Sequence, residues 1–245
     1  MMKRADCALI FVTDDRVTED EAFLKILASS LEGGVTMVQL REKFLSTKRF
    51  YQRAQAVKKL CVRYEVPLII NDRLDIALSI DAEGIHLGQS DLPVEIARNL
   101  LGNKKIIGYS VSNEKQMMAA NQLEIDYVGL SPIFQTVTKK TNLAPPMGIE
   151  GLKRLKTIST KPLVCIGGIT PDNTKRVLKN GSDGIAVVSA ISQAEDPEEA
   201  ARTFTSIIRK TKNENKFTRT SISPPNKPLL LKKLWISQKP LTKKY

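Results

Sequence analysis

The segment Ser131–Lys140 contains residue types that are well suited to bind a phosphate. Its sequence, SPIFQTVTKK, follows a short apolar run and ends in two threonines and two lysines within five residues: Thr136, Thr138, Lys139 and Lys140. Hydroxyl and ammonium groups on one loop are typical donors to a phosphate or a pyrophosphate. A solvated, charged loop would have the same composition, so this interpretation depends on clusters elsewhere in the chain.

Comparable clusters of polar residues and glycines follow six other short apolar runs. In chain order they comprise Gln39, Arg41 and Lys43; Asn71 and Asp72; Gln89, Ser90 and Asp91; Ser110; Gly167 and Gly168; and Val188, Ser189 and Ala190. Any one of these clusters could be an ordinary polar turn at the end of a strand. Their recurrence after so many runs indicates instead that they serve one shared site.

The charged members of these clusters fit a magnesium-bound pyrophosphate. Asp72 and Asp91 follow neighbouring apolar runs, and Mg²⁺ typically takes one or two carboxylates together with phosphate oxygens and water. Arg41, Lys43 and Lys139 are cations that can hold the phosphate groups. The alternative is that the two carboxylates form plain salt bridges with these cations.

Short apolar, β-branched runs alternate along the chain with longer amphipathic segments. There are eight such runs, at residues 8–13, 35–40, 68–71, 84–87, 106–109, 127–130, 163–166 and 184–188. Each precedes a segment that can be helical, as in Thr47–Arg63, where the apolar residues recur at helical spacing. Ser112 or Asn113 can cap the fifth helix, and Thr170 with Pro171 can begin the seventh.

Eight strand–helix units within about 210 residues predict a single-domain α/β fold, a (β/α)₈ TIM barrel. A doubly wound open sheet is the alternative, and it usually has a glycine-rich turn after the first strand. Here the first run is followed by Asp14, Asp15 and Arg16. The barrel is therefore the preferred prediction.

A barrel of this kind places its chemistry at the carboxyl ends of its strands, which is where all seven clusters fall. Gly167, Gly168 and Val188–Ala190 follow the seventh and eighth strands, where backbone N–H groups commonly bind a single phosphate. The rim then has two phosphate sites, one of them assisted by a metal. His86, the only histidine, lies in an apolar strand, and we interpret it as a buried or supporting residue. A site with cations, Mg²⁺ and no evident base suits ionisation of a substrate with pyrophosphate as the leaving group.

Most of the net charge of +12 comes from the C-terminal segment. Thr211–Tyr245 has nine Lys or Arg residues and one Glu, a net charge of +8, together with four prolines. We predict a barrel domain over residues 1–210 and a basic, disordered extension over residues 211–245. A nucleic-acid-binding protein is the functional alternative that this charge suggests, but aromatic residues make up only 5% of the chain. We expect no nucleic-acid partner.

The remaining bulk features predict a cytoplasmic protein. No apolar run approaches the roughly 20 residues of a membrane span, and the N-terminus lacks the features of a signal peptide. Cys7, Cys61 and Cys165 are odd in number and far apart, which favours a reducing compartment. The sequence leaves the oligomeric state open, a homo-oligomer included.

Seven motifs cover roughly residues 7–200 and read GVTMVQLREK, LIINDRLDIAL, GIHLGQSDLP, IIGYSVSN, DYVGLSPIFQTVTKK, CIGGITPDN and DGIAVVSAI. Through these motifs the chain resembles the thiamine phosphate synthase family. The resemblance implies a (β/α)₈ barrel with two small-molecule substrates. One is 4-amino-5-hydroxymethyl-2-methylpyrimidine pyrophosphate and the other is the phosphate of 4-methyl-5-hydroxyethylthiazole. They would be joined with Mg²⁺ into thiamine phosphate, and pyrophosphate would leave first.

The resemblance also implies a role for each matched residue. Asp72 and Asp91 would bind Mg²⁺, Ser110 would assist the leaving pyrophosphate, and Lys139 would neutralise it. The pyrimidine pyrophosphate would be held by Gln39, Arg41, Lys43 and Asn71. The thiazole phosphate would be held by Thr136, Thr138, Gly168, Val188 and Ser189.

The sequence departs from the family pattern at two places. Gln135 stands where the family commonly has proline, and we expect it to change the flexibility of the loop more than the activity. The resemblance also stops near Ser206. A sister family shares the barrel but aromatises the thiazole phosphate, and its members tend to lack the pyrimidine-pyrophosphate residues. Because these residues are present here, the synthase is the preferred prediction.

Overall fold

The computed structural model describes residues 7–136 and 144–220, with side chains described up to Glu214. Eight parallel strands form a closed barrel in which each strand pairs with its neighbours in sequence and β1 pairs with β8. The strands are β1 (Leu9–Val12), β2 (Met37–Leu40), β3 (Leu68–Asn71), β4 (Gly84–Leu87), β5 (Ile106–Val111), β6 (Tyr127–Leu130), β7 (Leu163–Ile166) and β8 (Gly184–Val187). The predicted (β/α)₈ barrel is confirmed.

Helices follow the strands and surround the barrel. Within the described residues they are α1 (Asp20–Glu32), α2 (Thr47–Arg63), α3 (Leu74–Ser79), α4 (Val94–Leu101), α5 (Glu114–Ala120), α6 (Gly148–Ile158), α7 (Pro171–Lys179), α8 (Ser189–Ser192) and α9 (Pro197–Thr220). Asn113 caps α5, and its side chain accepts a hydrogen bond from the Gln116 N–H at 2.9 Å. Pro171 is the first residue of α7, as the sequence predicts.

The strands are apolar because most of their residues are buried on both faces of the sheet. Side chains alternate along each strand, so one set fills the barrel interior and the other packs under the helices. The interior set comprises Cys7, Ile10, Val12, Met37, Ile69, Tyr127, Val164 and Ala186. The larger set between sheet and helices holds the helices against the barrel.

A buried ion pair joins α1, α2 and the chain after β2. The Arg53 guanidinium donates to the Glu42 carboxylate at 2.8 Å, and both side chains are 2% exposed. Arg53 also donates to the Thr18 carbonyl at 2.7 Å and to the Asp20 carboxylate at 2.5 Å. These contacts fix the path of the chain directly after β2, where part of the site begins.

The last helix passes the predicted end of the barrel domain. The sequence predicts a domain over residues 1–210, whereas α9 continues to Thr220. Thr211 is 1% exposed, and the Glu214 carboxylate accepts from Lys175 at 2.8 Å and lies 2.9 Å from the Lys179 ammonium. The predicted boundary at residue 210 therefore falls inside a helix that packs on α7. The rest of the predicted extension, residues 221–245, lies outside the described residues.

The short helix α8 was not predicted, and it is tied to the chain after β1. The Ser192 hydroxyl donates to the buried Asp14 carboxylate at 2.8 Å. Arg16 donates to the same carboxylate through Nε at 2.8 Å and Nη2 at 2.7 Å. Burial by itself raises the pKa of Asp14, but these hydrogen bonds outweigh it, so the pKa lies below its ordinary value.

Candidate active site

A cavity of about 770 Å³ opens at the carboxyl ends of the strands. Every site residue predicted from the sequence that the structure describes contributes to its lining. These residues are Gln39, Arg41, Lys43, Asn71, Asp72, Asp91, Ser110, Thr136, Gly168, Val188 and Ser189. The two other predicted residues, Thr138 and Lys139, lie outside the described residues.

The chain after β2 contributes two cations to the cavity. Arg41 is positioned by its backbone N–H, which donates to the Thr13 hydroxyl at 2.9 Å, and by its guanidinium, which donates to Asp15 at 2.7 Å. The Lys43 ammonium pairs with the Asp72 carboxylate. Lys43 therefore lies directly beside one of the two predicted metal ligands.

The Asp72 and Asp91 side chains are neighbours in the lining of the cavity. Asp72 has a left-handed backbone, with φ of 63°, and its N–H donates to the His86 carbonyl at 2.9 Å. Asp91 accepts from the Gly88 N–H at 2.6 Å. Burial raises the pKa of Asp91, and the neighbouring Asp72 side chain raises it further. Two neighbouring carboxylates favour a bound cation, since a cation would offset their repulsion.

The donor set at this place fits Mg²⁺ better than a transition metal. The described residues contain no group of three or more His, Cys, Asp or Glu side chains that could enclose a metal ion. Mg²⁺ usually takes only one or two carboxylates and completes its shell with substrate phosphates and water. Asp72 and Asp91 provide such a pair at the open rim of the cavity.

Ser110 is connected to a polar group in the barrel interior. Its hydroxyl lies 2.9 Å from Nε2 of His86, and Nδ1 of His86 lies 2.9 Å from the Tyr127 hydroxyl. Burial lowers the pKa of His86 to about 4, so the imidazole is neutral at pH 7. His86 thus supports Ser110, as the sequence analysis expected of a supporting residue.

The opposite side of the cavity is built from backbone. Gly167 and Gly168 have φ of 97° and 64°, a conformation that glycine adopts without strain. A Cβ atom on Gly168 would lie 2.4 Å from the Gln135 carbonyl, so only glycine allows the loop after β6 to pack there. The Asn173 side chain donates to the Gly168 carbonyl at 2.8 Å and holds this turn.

Gln116 and Gln193 also line the cavity, and the sequence analysis did not single them out. The Gln116 carbonyl oxygen accepts from the Ser112 N–H at 2.8 Å and from the Ser112 hydroxyl at 2.9 Å. Gln116 lies in the first turn of the helix after β5, a position that could have marked it. Gln193 directly follows α8. The sequence of α8 has no amphipathic pattern that would predict a helix at this place.

The fold and the cavity define a (β/α)₈-barrel enzyme whose charged site lies at the carboxyl ends of the strands. The protein-family model described as thiamine monophosphate synthase matches residues 9–191. The chain belongs to this family. It is accordingly an enzyme, a transferase of thiamine biosynthesis.

Individual relatives agree with this family. The chain is 50% identical over 202 residues to the thiamine-phosphate synthase of Vibrio campbellii, which covers 82% of this chain and 98% of the relative. It is 45% identical over 199 residues to that of Clostridium novyi, covering 81% and 97%. Among solved structures it resembles thiamine phosphate pyrophosphorylase from Pyrococcus furiosus, with a TM-score of 0.76, 34% identity, and coverage of 85% and 98%.

Within the part of the chain that the structure describes, no helix has both the length and the apolar character needed to cross a bilayer.

Proposed function

We propose that the chain is a thiamine phosphate synthase that joins the pyrimidine pyrophosphate to the thiazole phosphate and releases pyrophosphate. The observation that carries this proposal is the placement of Asp72 and Asp91 in one cavity, with Lys43 paired to Asp72. Paired carboxylates next to a cation suit a metal-bound pyrophosphate, which has both a counter-ion and many acceptor oxygens. The names of the thiamine-phosphate synthases that the chain resembles support thiamine phosphate as the product.

In this proposal the pyrimidine pyrophosphate occupies the side of the cavity formed after β2 to β5. Arg41 and Lys43 bind its phosphate oxygens, while Gln39 and Asn71 contact the pyrimidine pyrophosphate with neutral side chains. Asp72 and Asp91 hold Mg²⁺, which would neutralise charge on the pyrophosphate. Ser110 donates to the departing group and Lys139 supplies a positive charge.

The thiazole phosphate occupies the opposite side, where the chain follows β6 to β8. Thr136 and Ser189 offer hydroxyl groups, and Gly168 and Val188 offer backbone N–H groups. The left-handed turn at Gly167 and Gly168 allows a phosphate to approach the main chain. The two substrates are then held against each other across the barrel mouth, so the thiazole nitrogen can capture the pyrimidine-methyl cation once pyrophosphate has left.

The sister activity, aromatisation of a thiazole phosphate, needs only the second half of this site. Five residues of the first half, Gln39, Arg41, Lys43, Asp72 and Asp91, line the same cavity. A tautomerase would have no use for two neighbouring carboxylates in the first half of the site, so the synthase is preferred. The same two carboxylates are the reason that the synthase proposal includes Mg²⁺.

The test is to incubate the purified chain with both substrates and Mg²⁺ and to measure thiamine phosphate and pyrophosphate. We expect equal amounts of the two products, and no product when either substrate or Mg²⁺ is left out. Conversion of a non-aromatic thiazole phosphate without formation of thiamine phosphate would assign the chain to the sister activity instead.

A further inference from the structure

His86 connects a cavity residue to a buried phenol. Its side chain lies in the barrel and is 8% exposed. Nε2 is 2.9 Å from the Ser110 hydroxyl and Nδ1 is 2.9 Å from the hydroxyl of Tyr127, which is 1% exposed. Both ring nitrogens are therefore in hydrogen bonds whose donors and acceptors are not fixed by distance alone.

Strand register brings the two rings together. His86 of β4 pairs with Gly108 of β5, and Gly108 pairs with Tyr127 of β6. A Cβ atom on Gly108 would lie 2.5 Å from Nδ1 of His86 and 2.2 Å from Cζ of Tyr127. The two side chains thus meet in the space that glycine leaves on the intervening strand.

A second glycine completes this space one step nearer the rim. Gly129 of β6 pairs with Ser110 of β5, and a Cβ atom on Gly129 would lie 3.0 Å from Cε1 of His86. The imidazole therefore approaches β5 and β6 at positions where each strand carries glycine. This close fit restricts the ring to an orientation in which it contacts Ser110 and Tyr127 at once.

Burial determines how Tyr127 uses its phenol proton. Tyr127 is 1% exposed, and its hydroxyl lies 2.9 Å from Nδ1 of His86. A buried hydroxyl proton that has no acceptor costs free energy, and an unprotonated Nδ1 is an acceptor. Tyr127 therefore donates its phenol proton to Nδ1 of His86.

A neutral imidazole has one donor and one acceptor nitrogen. If Nδ1 accepts the proton of Tyr127, then Nε2 carries the ring proton and donates to Ser110. The Ser110 oxygen then receives a hydrogen bond from below, and its own proton is left to point into the cavity. The direction of each hydrogen bond follows from the one before it.

The geometry points to His86 as a positioning residue that, as the Nε2–H tautomer, makes Ser110 a hydrogen-bond donor toward the leaving pyrophosphate. This inference rests on the proposed function and deepens it. Pyrophosphate oxygens only accept hydrogen bonds, so a serine that assists their departure must donate. The opposite tautomer would draw the Ser110 proton inward and present only lone pairs to the phosphate.

The tautomer can be read directly, because His86 is the only histidine in the chain. The full chain would be labelled with ¹⁵N-histidine, and two-bond ¹H–¹⁵N correlations would be recorded at pH 7 without substrates. We expect the pattern of a neutral Nε2–H imidazole. A neutral Nδ1–H pattern or an imidazolium pattern would overturn the inference. Because this measurement needs no turnover, it is independent of whether the proposed reaction is correct.

The Tyr127→Phe variant tests the origin of the preference. It keeps the aromatic ring in the barrel interior and removes only the hydroxyl that donates to Nδ1. We expect the Nε2–H form to lose its dominance in this variant. A spectrum with the tautomer unchanged would show that Tyr127 does not set it and would overturn the hydrogen-bond series proposed above.

Kinetics then test the role toward Ser110. His86→Leu removes the donor at similar volume and should lower kcat roughly 10- to 100-fold, with the KM for the thiazole phosphate unchanged. His86→Gln keeps an amide N–H near the Nε2 position and should restore most of the loss. The positioning role would be overturned if kcat fell equally in His86→Leu and His86→Gln while both variants melted at the temperature of the unmodified chain.

Discussion

Asp72 and Asp91 show how individual residues define the chemistry of this site. Two carboxylates are held near each other at the barrel mouth, although they repel each other when both are ionised. The backbone N–H groups of Asp72 and Gly88 make the hydrogen bonds that hold this arrangement. A cation that binds between the two carboxylates would offset their repulsion.

Replacing Asp91 should separate metal dependence from folding. We expect Asp91→Asn to lower activity by roughly tenfold or more at fixed Mg²⁺, because one of two carboxylate ligands is lost. In EDTA its melting temperature should equal or exceed that of the unmodified chain, since the repulsion is gone. Steady-state assays measure the activity, and differential scanning calorimetry with and without Mg²⁺ measures the melting temperature. Glu95→Gln, which removes an exposed carboxylate outside the cavity, is the control. A response to Mg²⁺ in Asp91→Asn equal to that of the unmodified chain would exclude Asp91 as a ligand.

Lys139 should act on the leaving group more than on substrate recognition. Charge on pyrophosphate develops as its bond to carbon breaks, so a cation that meets this charge lowers the barrier. Lys139→Ala should lower kcat and kcat/KM together by about 10²–10³-fold, with little change in KM. Steady-state kinetics with the pyrimidine pyrophosphate varied decides this point. A raised KM with kcat intact would assign Lys139 to ground-state binding.

Hydrogen-bond networks between elements hold the loops that present these residues. The Arg53–Glu42 pair and the Asp14–Ser192 contact join segments that are far apart in sequence. None of these four residues lines the cavity. Their contribution is therefore measured as stability, and their loss should reach activity only indirectly.

Removing Arg53 should leave the buried Glu42 carboxylate without its ion-pair partner. Glu42 is 2% exposed, and burial already raises its pKa although Arg53 opposes that shift. Arg53→Met should lower the free energy of unfolding by about 3–5 kcal/mol. The double variant Arg53→Met/Glu42→Gln should lose less, since no buried charge is left. Urea unfolding compares them with Lys153→Met, which breaks an exposed pair and should cost about 0–1 kcal/mol. A loss in Arg53→Met as small as this control would contradict the prediction.

The contact between Asp14 and α8 should make stability depend on acid. The folded pKa of Asp14 lies below its unfolded value of about 3.8, so ionised Asp14 stabilises the fold above that pH. This stability is lost as the pH falls through the lower folded pKa. Asp14→Asn should cost about 1–3 kcal/mol at pH 7, and its difference from the unmodified chain should shrink below about pH 4. Urea unfolding at several pH values tests this, with Glu19→Gln as the exposed control. A difference that is constant with pH would contradict it.

The whole molecule divides into a barrel that carries the site and a C-terminal segment whose first part belongs to the fold. Thr211 is buried, and salt bridges from Lys175 and Lys179 lower the pKa of Glu214 to about 2. The residues that line the cavity end at Gln193. Stability and catalysis should therefore respond differently to shortening of the chain.

Two truncations test this division. A chain that ends at Thr220 should fold and turn over normally, because it keeps all of α9. A chain that ends at Lys210 loses Thr211 and Glu214 and should melt about 2–4 °C lower, with kcat unchanged at temperatures where it is folded. Thermal unfolding and steady-state kinetics measure both variants. An insoluble or inactive chain ending at Thr220 would show that residues 221–245 are needed for the barrel.

The sequence predicts the barrel and its rim well because both leave local signals. Buried strands appear as short apolar runs, and residues such as Arg41 and Asp72 follow those runs directly. The contact of His86 with Tyr127 has no such signal, since it depends on strand register through Gly108. The length of α9 was missed for a related reason. Apolar periodicity fades after Ile208, and the ion pairs of Glu214 with α7 exist only in three dimensions.

Pairing of β1 with β8 closes the sheet, and this closure affects how the molecule can meet copies of itself. Within the described residues every strand has a hydrogen-bonded neighbour on both sides. A sheet with an unpaired margin can recruit an extended segment of another molecule and grow into an aggregate. For the described strands that route opens only after the barrel has been broken. Within the described part of the chain, association of intact molecules must therefore use helices or loops.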